Sequence, residues 1–436
     1  MNTAGSRVFL IGSMILLALG PLAQAASSSE GGAGAEPTVP VADSAGRIIE
    51  ASFDQTYDTA TVAELLPVQW EDLAPPEARY AVEVYIVDFG TTDLDGDDTP
   101  TRMQLLIPKL ADAETTSEAS EVPFYLLAPG STGLVDSCRP SREHVIGVDW
   151  GRYQTHALAH ASQGTIVAIP DYMNSMVEGE IQPYFIAEAE ANVVLDTDRA
   201  VRAFFASEEA AELSARPTDG TILVGYSQGG HAIFAAADRA QAYAPEVQIA
   251  GILGYGPSTN VENLFREWTV AAPLVTYSYA TVYGEDAFDP SLILADRWLT
   301  DLAHDATSQC IGAIQRFYPT EPEPLYREAF LDALLDGRLA EEYPEIHRIM
   351  AQNDAGLSGH GFPVLILAGT NDVVVYPESQ DAFVAALREE GSAVEYVVYE
   401  NARHDTRQVG FVKAQEWIRA ITAGKEPFDR DLFVEE

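Results

Sequence analysis

Residues 220–237 read GTILVGYSQGGHAIFAAA, and the serine at their centre decides the fold. Thr221 to Val224 is apolar and rich in β-branched residues, the signature of a buried strand. His231 to Ala237 is alanine-rich and helix-favouring. Between them Gly225-Tyr226-Ser227-Gln228-Gly229 leaves only a tight turn. A serine hydroxyl is a weak nucleophile near neutral pH unless a base takes its proton and donors hold the developing oxyanion. A strand-to-helix turn lifts the hydroxyl above a sheet edge. It also aims the next backbone N–H, that of Gln228, from a helix N-terminus. Small flanking residues are needed because the chain doubles back on itself there. The stretch predicts a nucleophile turn in an α/β fold, provided that an acid and a base exist elsewhere.

FPVLILAGTNDVVVYP, residues 362–377, supplies another buried strand running into Asp372. VEYVVYENARHDTR, residues 394–407, supplies a strand and then His404. The chain order Ser227, Asp372, His404 is the order of α/β-hydrolases. Asp405 is a rival acid, although neighbouring loop residues usually point apart. His231 lies on the nucleophile's own helix and is expected beneath the turn. His144, His156, His160, His304, His347 and His360 read as polar surface or supporting residues. A second oxyanion donor should come from the loop after an earlier strand. FYLLAPGSTG, residues 124–133, fits, with the N–H of Ser131 first and that of Thr132 second.

Around these motifs strands alternate with helices, which argues for a mostly parallel sheet covered on both faces. Strands are expected at Ala81 to Phe89, Arg102 to Pro108, Val122 to Ala128, Thr165 to Pro170, Ile249 to Leu253, Phe362 to Ala368 and Val394 to Tyr399. Helices are expected at Ile186 to Phe205, Gln380 to Glu390 and Gln415 to Ile421. The acidic turn holding Asp93, Asp95 and Asp97 fails the calcium-loop pattern, with Asp98 where glycine and Gln104 where glutamate belong. It reads as a solvated hairpin turn. The division expected is a hydrolase core over 47–256 and 361–436, interrupted by a mostly helical cap insertion over 257–360.

At the N-terminus, Arg7, an apolar run from Val8 to Leu22, and Ala23-Gln24-Ala25 make a signal peptide over 1–25. The Pro/Gly-rich stretch 26–46 reads as a flexible linker. Export to the periplasm or beyond permits a disulfide between Cys138 and Cys310, the only two cysteines; the alternative is two buried thiols. The apolar run is short for a spanning helix, so no stable membrane insertion is expected after cleavage. A formal charge of −42, from 67 acidic against 25 basic residues, makes nucleic acid and anionic membranes poor partners. No zinc spacing and no dinucleotide fingerprint stands out, and serine chemistry of this kind requires no cofactor or metal.

PGSTGLVDSCRPS (129–141), IPDYMNS (169–175), GYSQGGHA (225–232) and the late Asp372 and His404 together resemble the secretory lipase family, of the fungal lipase A type. The similarity runs from about residue 80 to 423. The resemblance implies an α/β-hydrolase fold with a helical cap and a disulfide tying the oxyanion loop to that cap. It also implies carboxylic ester hydrolysis through Ser227, His404 and Asp372. The chain departs from many relatives in carrying Pro129-Gly130 where they carry His-Gly. The substrate is expected to be a small-molecule or lipid ester, with lipase and short-chain esterase both open. Two other readings share the residues: a serine peptidase using Glu341-Glu342 in the insertion, and an inactive hydrolase serving as a binding module. Oligomeric state is not legible in the sequence.

Overall fold

Ten strands appear among the described residues of the computed structural model, which describes residues 39–436 apart from 71–72, 111–118, 144–150, 426–427 and 436. They are β1 (Ile48–Tyr57), β2 (Ala81–Thr92), β3 (Asp98–Lys109), β4 (Ser120–Ala128) and β5 (Ile166–Pro170). β6 (Ala215–Tyr226), β7 (Ile249–Tyr255), β8 (Val364–Gly369), β9 (Val394–Tyr399) and β10 (Arg430–Val434) follow. All lie in one sheet, in the order β1-β2-β3-β5-β4-β6-β7-β8-β9-β10. The first strands pair antiparallel up to β5, and every pair from β5 to β10 is parallel.

The chain leaves β4 towards one edge of the sheet and leaves β6 towards the other. The two strands are neighbours, so a crevice opens beyond their carboxyl ends, the place where open α/β sheets bind ligands. Pro129 and Ser227 stand at those two ends.

Both faces are buried, and the strands split their side chains between two cores. Phe124, Leu126 and Leu223 pack under the helices Ala187–Phe205 and Gln228–Tyr243. Tyr125, Leu127, Ile222 and Val224 pack under Tyr153–Ala161 and Phe411–Thr422. This is why the central strands read as continuous apolar runs rather than alternating ones. Each such fully buried side chain contributes about 1.5–3 kcal/mol.

Between β7 and β8 the described chain carries nine α-helices, from Val261 to Gln352. They have a core of their own, with Leu264, Phe265, Tyr279, Phe330, Leu334 and Ile349 in it. Of the aromatic residues there, Tyr279 and Tyr318 are buried in that core, whereas Phe317 is 59% exposed. Cys138 and Cys310 form a disulfide, closing a loop of 172 residues between the segment after β4 and this helical block.

One expectation is corrected at the N-terminal end. The stretch 1–38, with the signal peptide and most of the linker, lies outside the described residues, as does His144. Residues 39–46, expected to belong to a flexible linker, pack on the sheet instead. The Ser44 N–H donates to Asp98 over 2.9 Å and its hydroxyl binds the same oxygen, while the Gly46 N–H donates to the Gly90 carbonyl. Those bonds satisfy the backbone where composition alone suggested open solvent. The acidic turn closes on itself, Asp93 accepting from the N–H groups of Asp95 and Asp97. No cluster of three potential metal ligands occurs among the described residues.

Candidate active site

Ser227 sits between β6 and the helix Gln228–Tyr243 with φ 56° and ψ −116°, outside the regions L-residues favour. Holding a serine there costs about 1–3 kcal/mol, which the surrounding packing must supply. The glycines beside it are required by close approach. A Cβ on Gly225 would lie 2.1 Å from the Gly229 carbonyl oxygen, and one on Gly229 would lie 1.9 Å from the Ala128 carbonyl oxygen. The turn is therefore pressed directly against the end of β4.

His404 follows β9, and its Nδ1 lies 2.9 Å from Asp372 Oδ2. The other carboxylate oxygen accepts from the N–H groups of Val374 (2.8 Å) and Val375 (3.0 Å), so the group cannot turn away. The imidazole needs Gly256 beside it, since a Cβ there would come within 3.0 Å of Nδ1. His404 Nε2 is buried and has no hydrogen-bond partner among the described residues. Ser227, His404 and Ser131 line one cavity of about 860 Å³ with Trp268 and Val374.

The rival acid is engaged elsewhere. Asp405 forms an ion pair with Arg407 over 2.6 Å. Arg407, 1% exposed, also donates to the Gly151 carbonyl and lies over the rings of both Tyr153 and Tyr226. Burial works against both charges. Their attraction outweighs it, holding the Asp405 carboxyl below its ordinary range and the Arg407 guanidinium above its own.

Ser131 lies on the loop after β4, its hydroxyl 2.5 Å from that of Tyr184. The loop is fixed from three sides. Tyr172 donates to the Pro129 carbonyl, the Ile311 N–H donates to the Thr132 carbonyl, and Cys310 bridges Gly133. Thr132 is 1% exposed, which leaves Ser131 as the loop residue at the cavity wall. Gln228 heads its helix, where first-turn N–H groups have no intrahelical acceptor.

Beneath the turn lies a network that the sequence reading missed. Glu190 accepts from the Gln228 side chain (2.7 Å) and the Phe185 N–H (3.0 Å), and its other oxygen is 2.6 Å from His231 Nδ1. His231 Nε2 faces the Asn353 carbonyl over 2.6 Å. Both partners of His231 can accept, an arrangement that favours the doubly protonated ring. Burial alone would lower its pKa, but the Glu190 charge outweighs that and raises it. Glu190 went unnoticed because AEAEA at 187–191 looks like a solvated helix face.

The other histidines stay apart from the cavity. His156 and His160 are fully buried beside Tyr125, and burial holds both below their ordinary range, His160 at about 3. His347 pairs with Glu262. Glu341 and Glu342 lie on a short helix with Glu342 paired to Arg338, and neither lines the cavity.

Comparison with known proteins bears on the fold and the family. No curated protein sequence matches. The rice cell wall degrading esterase LipA from Xanthomonas oryzae, in a ligand-bound form, superposes with a TM-score of 0.67 at 17% identity, covering 87% of this chain and 97% of that one. Candida antarctica lipase A in its closed state gives 0.61 at 18%, covering 89% and 86%. A putative hydrolase from Legionella pneumophila gives 0.67 at 15%, covering 86% and 98%. At such identities the likeness establishes the α/β-hydrolase fold. Residues 153–430 match the family described as secretory lipase. That match takes in more than half of the sequence, and the chain belongs to the secretory lipase family, a family of carboxylic ester hydrolases.

Proposed function

We propose that the chain is an exported serine ester hydrolase working through an acyl-enzyme. The observation that carries this is a serine in a strained turn sharing one cavity with a histidine whose Nδ1 is 2.9 Å from a fixed carboxylate. Ser227 Oγ attacks the ester carbonyl while His404 Nε2 takes its proton. Asp372 holds the ring and stabilises its charged form. The backbone N–H groups of Gln228 and Ser131 hold the oxyanion. The intermediate collapses, and the alcohol leaves with the proton from His404. Water, deprotonated by His404, then attacks the acyl-enzyme and releases the acid. The route needs no cofactor.

In this reading the block 257–360 is a cap over the crevice, held to the oxyanion loop by Cys138–Cys310. The leader read over 1–25 accounts for export, and a disulfide fits that destination. No helix among the described residues is long and apolar enough to cross a membrane. The cavity wall carries Ser308, Gln309, Gln315 and Gln408 alongside Trp268 and Val374. Such a wall favours short or polar acyl groups over long alkyl chains. The test is hydrolysis of p-nitrophenyl esters from acetate to palmitate, with Ser227→Ala as the blank. We expect a maximum among the short chains. A maximum at palmitate would make the cavity a long-chain acyl site, and no hydrolysis above the blank would overturn the reading.

A further inference from the structure

Charge is distributed unevenly between the two large cavities. One, of about 1240 Å³, lies away from Ser227 and is lined by Asp93, Asp95, Asp98, Glu188, Asp238 and Asp354 among others. The catalytic cavity is lined by Arg152, which has a partner of its own, by Arg407, which Asp405 engages, and by Arg316; Asp405 is the one carboxylate among its described lining residues. In a chain of formal charge −42 the described lining of this cavity therefore holds one cation, Arg316, that no described carboxylate engages.

Arg316 is the exposed cation of that wall. It occupies the last turn of the helix Ile311–Phe317. Elsewhere arginines are typically taken up by carboxylates, as Arg102 is by Asp88 and Arg199 by Asp196. Among the described residues Arg316 has no ion pair, hydrogen bond or ring contact, and its interactions are not among those left undescribed. Its own helix, IGAIQRF, contains no acid, and nearby Asp305 accepts from the Tyr318 hydroxyl. The helix is anchored at its start to the oxyanion loop, through the Ile311 N–H on the Thr132 carbonyl and the Cys310 disulfide. Five residues along a helix is roughly 7.5 Å. The guanidinium is thus carried some way from the point where the scissile carbonyl would bind, but within the same cavity.

We infer that Arg316 selects esters bearing an ionised carboxylate several bonds from the scissile bond. This rests on Ser227 as nucleophile and adds to it a substrate class: half-esters of dicarboxylic acids, or esters whose alcohol part carries a carboxylate. A guanidinium meets a carboxylate through two parallel N–H···O bonds, which a neutral chain end cannot make. Concentrating positive charge at the mouth also offsets the repulsion that so acidic a protein exerts on an anionic substrate.

Four esters test it. p-Nitrophenyl hydrogen adipate is compared with p-nitrophenyl hexanoate, placing the carboxylate on the acyl side. The butanoyl ester of p-hydroxybenzoate is compared with phenyl butanoate, placing it on the alcohol side. We expect kcat/KM to be at least about fivefold higher for one carboxylate-bearing ester than for its neutral counterpart, mainly through KM, as a partly exposed ion pair allows. Arg316→Gln removes the preference and leaves the neutral esters unchanged, and Arg316→Lys keeps part of it. The side on which the preference appears identifies which part of the substrate carries the charge. Turnover of neutral esters with no carboxylate preference, or a preference unmoved in Arg316→Gln, overturns the inference while leaving the hydrolase reading intact. Failure to hydrolyse any of the four refutes both.

Discussion

Asp372→Asn is expected to lower kcat by roughly three to four orders of magnitude while leaving the fold in place. The reason is specific to how this carboxylate is held. One of its oxygens accepts from the N–H groups of Val374 and Val375, and these two donors would orient the asparagine amide. The amide oxygen must face them, so its NH₂ must face His404 Nδ1. That nitrogen then becomes an acceptor, and the ring's proton moves to Nε2, where it can no longer take one from Ser227. His404→Ala should cost at least as much. Asp405→Asn is the contrast. It leaves Arg407 buried without its partner and destabilises the protein by about 3–5 kcal/mol, yet kcat of the folded fraction should stay within about tenfold of wild type. Steady-state kinetics beside thermal melts separates the two acids. A larger kcat loss for Asp405→Asn than for Asp372→Asn would assign the acid's role the other way.

Removing the disulfide is expected to have the largest effect on stability. Chain entropy alone gives about 5 kcal/mol for a closed loop of 172 residues. For a folded body of this size that corresponds to a fall in Tm of roughly 6 °C, measured by scanning calorimetry on a Cys138→Ala, Cys310→Ala double variant. Activity should fall at temperatures below the melt. The loop carrying Ser131 would then be tied to the helical block through the Ile311 N–H, the bridge at Gly133 and the packing of Leu134 and Val135 into the block's core. A Tm within a degree of wild type would show that the helical block is held by its packing alone.

The parts of this fold most legible in the sequence are those whose chemistry is local. The β6 turn announces itself because an apolar β-branched run, two glycines and an alanine-rich run leave one geometry open. β4, β5, β7, β8 and β9 are buried on both faces and so appear as apolar runs of strand length, located to within a few residues. The outer strands were illegible for the opposite reason. IIEASFDQTY in β1 and RDLFV in β10 are largely exposed edge strands, and edge positions impose no apolar pattern to read.

Long-range polar pairing was equally hidden. Glu190 and His231 are far apart in the chain, and only the packing of two helices brings their side chains within 2.6 Å. Asp405 reads in the sequence as a rival acid, and nothing near it marks Arg407 as its buried partner. The burial of Arg407 against Tyr153 and Tyr226 depends on contacts from distant parts of the chain, which spacing cannot encode. The arginine at position 316 carried no sequence signal at all, since its meaning comes from having no carboxylate partner among the described residues.

The measurement that bears most directly on the central claim is covalent trapping. The purified protein would be treated with a fluorophosphonate probe, digested and mapped by mass spectrometry. The account predicts one phosphonate on the peptide containing Ser227, with labelling strongly slowed in His404→Ala because the hydroxyl then lacks its base. Labelling of a different residue, or none in a folded sample, would contradict it.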